Sequence, residues 1–279
     1  MKILLLGKTG LLGQALFRVF SNHHIVIAPS HEECDVTNPA NLKAVFSAQP
    51  FDLVINATGY TKVDDAEKNR DAAFLLNAAA VKNLCQILAH KNTAFVHFST
   101  DYIFDGANKE GYIESDSPAP LSVYGASKAA GEKEILSSLK SFYLIRSSWI
   151  FGPDGKNFVD TMIELRHKNP GKPLKVVDDQ IGCPTFTLDL AQAVFGLLET
   201  KNYGIYHIVN SGSCSWYEFA QEIFHQLGVP QEIIPITSQE LNRPAKRPAC
   251  SILKNTKLAP LRSWKHALGD YLMNKTLIL

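Results

Sequence analysis

The chain opens on a short, largely apolar run, Lys2–Leu6, that ends at once in Gly7-Lys8-Thr9-Gly10-Leu11-Leu12-Gly13. Apolar residues then recur at Leu12, Ala15, Leu16, Val19 and Phe20, the spacing of one helical face. A strand that does not alternate with polar residues is buried on both faces. Strand, glycine turn and helix in that order therefore begin a parallel sheet covered by helices. The pattern repeats: strands are expected at 24–28, 52–57, 94–99 and 142–146, with helices at 41–48, 64–88 and 124–139 between them. Connections this short imply a doubly wound parallel sheet, an α/β Rossmann fold.

After about Trp149 the rhythm changes. Turn-rich stretches such as Gly152-Pro153-Asp154-Gly155 and Asn169-Pro170-Gly171-Lys172-Pro173 separate helices expected at 157–167, 188–198, 216–226 and 264–272. We expect a dinucleotide-binding part over 1–148, with returns to it around 185–210. A smaller, mainly substrate-binding lobe is expected over 149–279. The length of 279 residues, nearly twice a domain of ~150, fits that division.

Composition excludes several classes. The 28 basic and 27 acidic residues leave a net charge of +1, which gives no electrostatic case for nucleic acid or an anionic membrane. No apolar run approaches the ~18 residues that span a bilayer. The five cysteines, Cys34, Cys85, Cys183, Cys214 and Cys250, are scattered, which suits reduced thiols in the cytoplasm better than disulfides or zinc. No clustered ligand set suggests a metal.

A glycine-rich turn between a first strand and its helix places backbone N–H groups and the positive helix end against a pyrophosphate. Gly7, Gly10, Leu11, Leu12 and Gly13 are the candidates for that contact. The spacing is G-x-x-G-x-x-G, not the usual G-x-G-x-x-G. The second strand ends at Ala28-Pro29-Ser30-His31, without the acid that normally holds an adenine-ribose hydroxyl. Nothing there repels a 2′-phosphate and no arginine favours one, so NADPH and NADH both remain open.

Ser99-Thr100-Asp101 closes the fourth strand, and Tyr124-Gly125-Ala126-Ser127-Lys128 begins the next helix. Four residues apart, Tyr124 and Lys128 share a helical face. The cation is expected to draw the phenol down from ~10, so that Tyr124 passes a proton to a carbonyl oxygen. Thr100 would complete the hydrogen-bond chain.

These segments, with Arg146-Ser147-Ser148-Trp149 and Asp179-Gln180-Ile181-Gly182-Cys183-Pro184-Thr185, resemble in order the dTDP-4-dehydrorhamnose reductases, extended short-chain dehydrogenase/reductases. The resemblance covers residues 1 to about 255. It implies NAD(P)H-dependent reduction of the 4-keto group of dTDP-4-dehydro-6-deoxy-L-mannose to dTDP-L-rhamnose, a step of polysaccharide biosynthesis. It also implies Tyr124 as proton donor, Lys128 on the phenol and nicotinamide ribose, and Thr100 in the place of the superfamily serine. Asp35 and Val36 would flank the adenine, and Ala57, Gly59, Tyr60 and Thr61 the dinucleotide. Asp101, Trp149 and Arg247 would line the substrate site together with Thr100, Tyr124 and Lys128. Partners are then a small nucleotide-sugar substrate and, as an open question, a second copy in a homodimer.

Other readings stay open. A dehydratase or epimerase with bound NAD belongs to the same superfamily, although Tyr102 stands where dehydratases carry glutamate. A non-catalytic NAD(P)-binding regulatory subunit would not need Tyr124 and Lys128. Trp149 also suits a core, Arg247 a surface loop, and His97 a satisfied buried histidine.

Overall fold

A computed structural model describes residues 1–276. β1 (Lys2–Leu6) leads into α1 (Leu11–Phe20), β2 (Ile25–Ile27) into α2 (Pro39–Ala48), and β3 (Leu53–Asn56) into α3 (Val63–Ala66), α4 (Arg70–Phe74), a π-helical turn (Leu75–Ala79) and α5 (Ala80–Leu88). β4 (Ala94–Thr100) passes through a 3₁₀ turn at Asp101–Ile103 towards α6 (Val123–Ser138), and β5 (Phe142–Ser147) follows. Then come β6 (Ile150–Phe151), α7 (Phe158–Lys168), β7 (Leu174–Val177), β8 (Ile181–Gly182), β9 (Thr185–Phe186), α8 (Thr187–Thr200) and β10 (Gly204–His207). The described chain ends with β11 (Cys214–Ser215), α9 (Trp216–Gln226), β12 (Ile233–Ile236), α10 (Ser238–Leu241) and α11 (Trp264–Thr276).

Six strands form one sheet in the order β10-β5-β4-β3-β1-β2, every pair parallel. This is the doubly wound α/β fold expected from the alternating pattern. Because side chains alternate across a strand, Ile3 and Leu5 pack beneath α1 and α8, whereas Leu4 and Leu6 pack beneath α2 and α5. Both faces are thus covered, which is why β1 is apolar throughout. The strand order reverses at β1, with β2 on one side and β3 on the other. In such sheets ligands bind at the carboxyl ends beside that reversal, where Gly7 and Ala57 lie.

Local chemistry fixes the element ends. Asn38 accepts hydrogen bonds from the N–H groups of Ala40 and Asn41, with Pro39 opening α2. Ser215 and Glu218 form a reciprocal capping box that starts α9. A third apolar cluster, with Phe151, Val159, Leu174, Phe186, Phe219 and Trp264, lies outside the main sheet among α7, α9 and α11.

The segment 64–88 departs from the single helix its apolar spacing predicts. At its first break the Asn69 amide donates to the Asp65 carbonyl and carboxylate, at 3.3 and 3.0 Å, competing with the helical ladder. Farther on, the π-helical turn brings the Asn77 carbonyl against α6. Gly131 makes room there: a Cβ would lie 2.2 Å from the Asn77 oxygen.

Gly13 is equally constrained, since a Cβ would lie 2.0 Å from the Gly7 oxygen and 2.9 Å from Lys8 Cα. Gly13→Ala is expected to lower stability by about 1–3 kcal/mol, read as an earlier midpoint in urea unfolding. A variant as stable as its parent would show that the turn yields freely.

Candidate active site

The three turn glycines have separate reasons. Gly7 adopts φ +84° and approaches the next loop so closely that a Cβ would meet the Ala57 carbonyl carbon at 2.8 Å. Gly13 lets the helix lie on its strand. Gly10 is different: its Cβ would meet only the Gly7 oxygen, at 3.5 Å. It is the N-cap of α1, with no side chain to satisfy the first-turn N–H groups. Open space over uncapped N–H groups at a helix start is the cradle a pyrophosphate fits.

That cradle is one wall of a cavity of about 410 Å³. Gly10, Leu11, Leu12, Ala57, Gly59, Thr61, Thr100, Asp101, Tyr124, Lys128 and Trp149 line it. These candidates come from the ends of β1, β3, β4 and β5 and from α6, up to 139 residues apart in sequence (Gly10 to Trp149). Ser99 and Ser147, which the sequence motifs contain without giving them a role, line it as well, as does Lys156, which no sequence pattern singles out. The Lys156 loop lies across the start of α1, held by Gln14 donating to the Asp154 carbonyl at 2.7 Å and Arg18 to its carboxylate at 3.0 Å.

Lys128 is only 5% exposed. Its Nζ donates to the Phe98 carbonyl at 2.5 Å and faces His97 Nε2 at 3.4 Å. Thr58 supplies two donors to Asn56 Oδ1, leaving Asn56 Nδ2 to donate to His97 Nδ1 at 3.1 Å. On that assignment the imidazole proton sits on Nε2 and opposes the ammonium. Burial lowers the Lys128 pKa to about 8, while Glu132 one turn along raises it. His97 is therefore a buried, hydrogen-bonded histidine, and it also abuts the lysine.

Burial pushes the Tyr124 phenol up to about 12; contact with the Thr100 hydroxyl acts to lower it, and the Asp101 charge adds to the rise. This corrects the expectation that the lysine draws the phenol towards neutrality. In this protein-only environment desolvation wins, and Tyr124 holds its proton throughout the neutral range. Burial likewise raises Asp101 to about 6, although hydrogen bonds from Ser251 and Thr100 act to lower it. Among the described residues, Asp101 Oδ2, Ser99 Oγ and Ser147 Oγ are buried without a hydrogen-bond partner. All three residues line the cavity, and unpartnered polar atoms set just behind its wall suit a site for a polar ligand.

Not every candidate faces this cavity. Val36 is packed into the core beside Leu4 and Leu6, and Asp35 accepts from the Thr37 N–H and hydroxyl at 2.8 and 2.7 Å. The Tyr60 hydroxyl donates to Asp65. The Tyr60 backbone is clasped by Asn77, which also donates to Ser127 Oγ at 2.9 Å. Asn77 thereby ties the turn after β3 to α6, a link hidden in the sequence because it requires the π-helical turn. Arg247 makes a bidentate pair with Asp64 at 2.9–3.0 Å. Burial raises Asp64, but bonds from Arg247, the Ala245 N–H and Arg243 prevail and hold it at about 2. Arg247 also reaches the Tyr102 hydroxyl, and the Tyr102 ring meets that of Tyr124 edge-on at 5.9 Å. It stands one side chain behind the cavity. Trp149 is half-buried: it packs on the third cluster and lines the cavity, with φ +45°, a backbone costing a bulky residue about 1–3 kcal/mol.

The sequence matches the family model described as RmlD substrate binding domain over residues 1–277. The crystal structure of dTDP-4-dehydrorhamnose reductase from Bacillus anthracis in complex with NADP superposes with a TM-score of 0.94 at 34% identity, covering 98% of this chain and 99% of that one. The chain belongs to the dTDP-4-dehydrorhamnose reductase family. Among its relatives, a probable dTDP-4,6-dihydroxy-2-methyloxan-3-one 4-ketoreductase of Streptomyces antibioticus is 40% identical, over 97% of this chain and 94% of that protein. The spore coat polysaccharide biosynthesis protein SpsK of Bacillus subtilis is 36% identical, over 99% and 98%. The family is one of oxidoreductases, and the Gly10 cradle fits its nicotinamide dinucleotide. No helix among the described residues is long and apolar enough to cross a membrane.

The Asp101 environment gives a signed pH prediction. With its pKa raised from 3.8 to about 6, the folded protein binds more protons than the unfolded chain in that window. Stability from this group therefore falls as pH rises through it. Asp101→Asn is expected to be more stable than wild type at pH 7.5, by about 1–3 kcal/mol, with the advantage gone by pH ~4. Thermal melting at the two pH values reads the difference. An Asn variant less stable at pH 7.5 would contradict the burial cost.

Proposed function

We propose that this chain reduces the 4-keto group of dTDP-4-dehydro-6-deoxy-L-mannose to dTDP-L-rhamnose with NADPH or NADH. The observation that carries the reading is a protonated, half-buried Tyr124 beside Lys128, in a cavity that joins the Gly10 cradle to three residues with unpartnered polar atoms. Gly10, Leu11, Leu12, Ala57, Gly59 and Thr61 would hold the dinucleotide, which supplies the hydride when bound. Gly7 and Gly13 serve it by setting the backbone path, and Tyr60 by its backbone clasp on Asn77. Asp35 and Val36 would meet the adenine edge through backbone and local polar groups, since the Val36 side chain is in the core.

Tyr124 supplies the proton to the sugar's carbonyl oxygen as that oxygen gains charge. The Thr100 hydroxyl, whose own hydrogen goes to Asp101 Oδ1 at 3.0 Å, lies within hydrogen-bonding reach of the phenol as an acceptor and so would help to aim it. Lys128, fixed by the Phe98 carbonyl, provides the nearby cationic site that steadies the phenolate left behind. Asp101, with Oδ2 free of protein partners, would accept a sugar hydroxyl. Trp149 would wall the apolar edge of the deoxysugar, and Arg247 would support the nucleotide side through Tyr102. We further propose that residues 1–148, with returns around 185–210, serve the dinucleotide, while 149–279 mainly serve the sugar. The five buried free cysteines support a cytoplasmic setting.

The test is a spectrophotometric assay with the freshly made 4-keto sugar nucleotide, with product identified by mass and stereochemistry. Stoichiometric loss of reduced nicotinamide is expected. A dehydratase or epimerase would turn over without consuming it, and a regulatory subunit would not turn over. Tyr124→Phe should cut turnover by about 10²–10⁴-fold with the KM for NADPH unchanged. Retention of more than about a third of the parental turnover would remove Tyr124 from the proton step.

A further inference from the structure

The Trp149 indole is held from behind. Its ring stacks on that of Trp216, with centroids 3.5 Å apart and planes within 7°. Trp216 is itself anchored. Its Nε1 donates to Gln180 Oε1 at 3.2 Å, and Gln180 Nε2 donates to Ser238 Oγ at 2.7 Å. The Ser238 N–H and hydroxyl donate in turn to the Asp179 carboxylate at 2.9 and 2.6 Å. Phe158 packs on the Trp216 ring at 4.6 Å, and the capping box at Ser215 fixes the start of α9 beneath it.

The Asp179–Thr185 segment closes the arrangement. A Cβ on Gly182 would lie 2.4 Å from Trp149 Cε2, so glycine is needed for the indole to lie there. The Thr185 N–H donates to the Trp149 carbonyl at 3.2 Å, and the Ser148 hydroxyl to the Cys183 carbonyl at 2.7 Å. These contacts over-determine a left-handed tryptophan backbone that would otherwise relax. Neither Trp216 nor Gln180 lines the cavity, whereas Trp149 does.

We propose that Trp216, fixed by Gln180, is a positioning residue that holds the Trp149 indole as a cavity wall and so sets the enzyme's grip on the sugar nucleotide without touching it. The proposal rests on the reading of Trp149 as the sugar wall given above. The Asp-Gln-x-Gly run at 179–182 then has a physical role, in which Asp179 and Gln180 lock Trp216 and Gly182 admits Trp149.

The test uses Trp216→Leu, Trp216→Phe and Gln180→Met in the full chain. Circular dichroism reads the stack, because two contacting indoles whose in-plane transition dipoles are rotated relative to each other give an exciton couplet, and steady-state kinetics read its consequence. In Trp216→Leu the couplet should vanish and the sugar-nucleotide KM rise about three- to tenfold, with the KM for NADPH unchanged. Trp216→Phe should restore part of the loss. Gln180→Met, which leaves both rings in place, should weaken the couplet and raise the same KM less. Trp149→Ala combined with Trp216→Leu should be no worse than Trp149→Ala alone.

A normal sugar KM in Trp216→Leu, with the couplet gone and Trp149→Ala impaired, overturns the proposal alone. If Trp216→Leu does not fold, Gln180→Met decides in the same way. Unchanged kinetics in Trp149→Ala overturn the sugar-wall reading and this proposal with it.

Discussion

The arrangement depends on burying one ammonium group. Lys128 extends from α6 to the edge of β4, where the Phe98 carbonyl takes one of its hydrogens and His97 faces it. His97 is fixed by Asn56 on β3, its partner in the parallel register. The lysine thus pins the helix carrying Tyr124 to the two strands whose ends carry the Ala57–Thr61 turn and Thr100. Behind it, Glu132 and Arg146 form a bidentate buried pair at 2.8–3.1 Å. That pair keeps α6 on β5 and leaves a carboxylate one turn from the ammonium. The net result is a lysine near pKa 8, close to the point where its charge responds to whatever enters the cavity.

In the function proposed for it, the site divides its labour around that fixed point by secondary structure. Backbone geometry serves the dinucleotide, with Gly10 leaving space and Gly7 and Gly13 giving up theirs to neighbouring chain. Side chains serve the proton, with Thr100, Tyr124 and Lys128 held on a strand end and a helix, where their positions are rigid. In the proposed reading the sugar side relies on elements after β5, including a left-handed Trp149 whose ring stacks on that of Trp216. Strain persists at that place because the Asp179–Thr185 segment and α9 are both hydrogen-bonded into position.

The fold was legible because its signals are local. An all-apolar strand, a glycine turn and a period of 3.6 residues each occupy a short window, and together they leave few topologies. The Tyr124–Lys128 pair was legible for the same reason. The state of that pair was not, because spacing on a helix reveals proximity, whereas burial of the phenol depends on what the rest of the chain places around it. The same limit explains Arg247: a lone arginine in a proline-flanked loop does not announce that Asp64, 183 residues earlier, will claim it. Trp216 reads as core from its helix alone, since the ring it meets is separated by a whole lobe of sequence. The break before Arg70 is hidden because apolar residues at helical spacing stand on both sides of it.

The chemistry ascribed to the cavity is addition of hydride and proton across a single carbonyl, at C4 of a nucleotide-linked sugar. A nicotinamide deuterated at both ring C4 positions, supplied with dTDP-4-dehydro-6-deoxy-L-mannose, tests it in one nuclear magnetic resonance measurement of the product. One deuterium at C4 of the new rhamnose and none at C3 or C5 is the predicted result. An unlabelled product, or label at any other carbon, would contradict that chemistry.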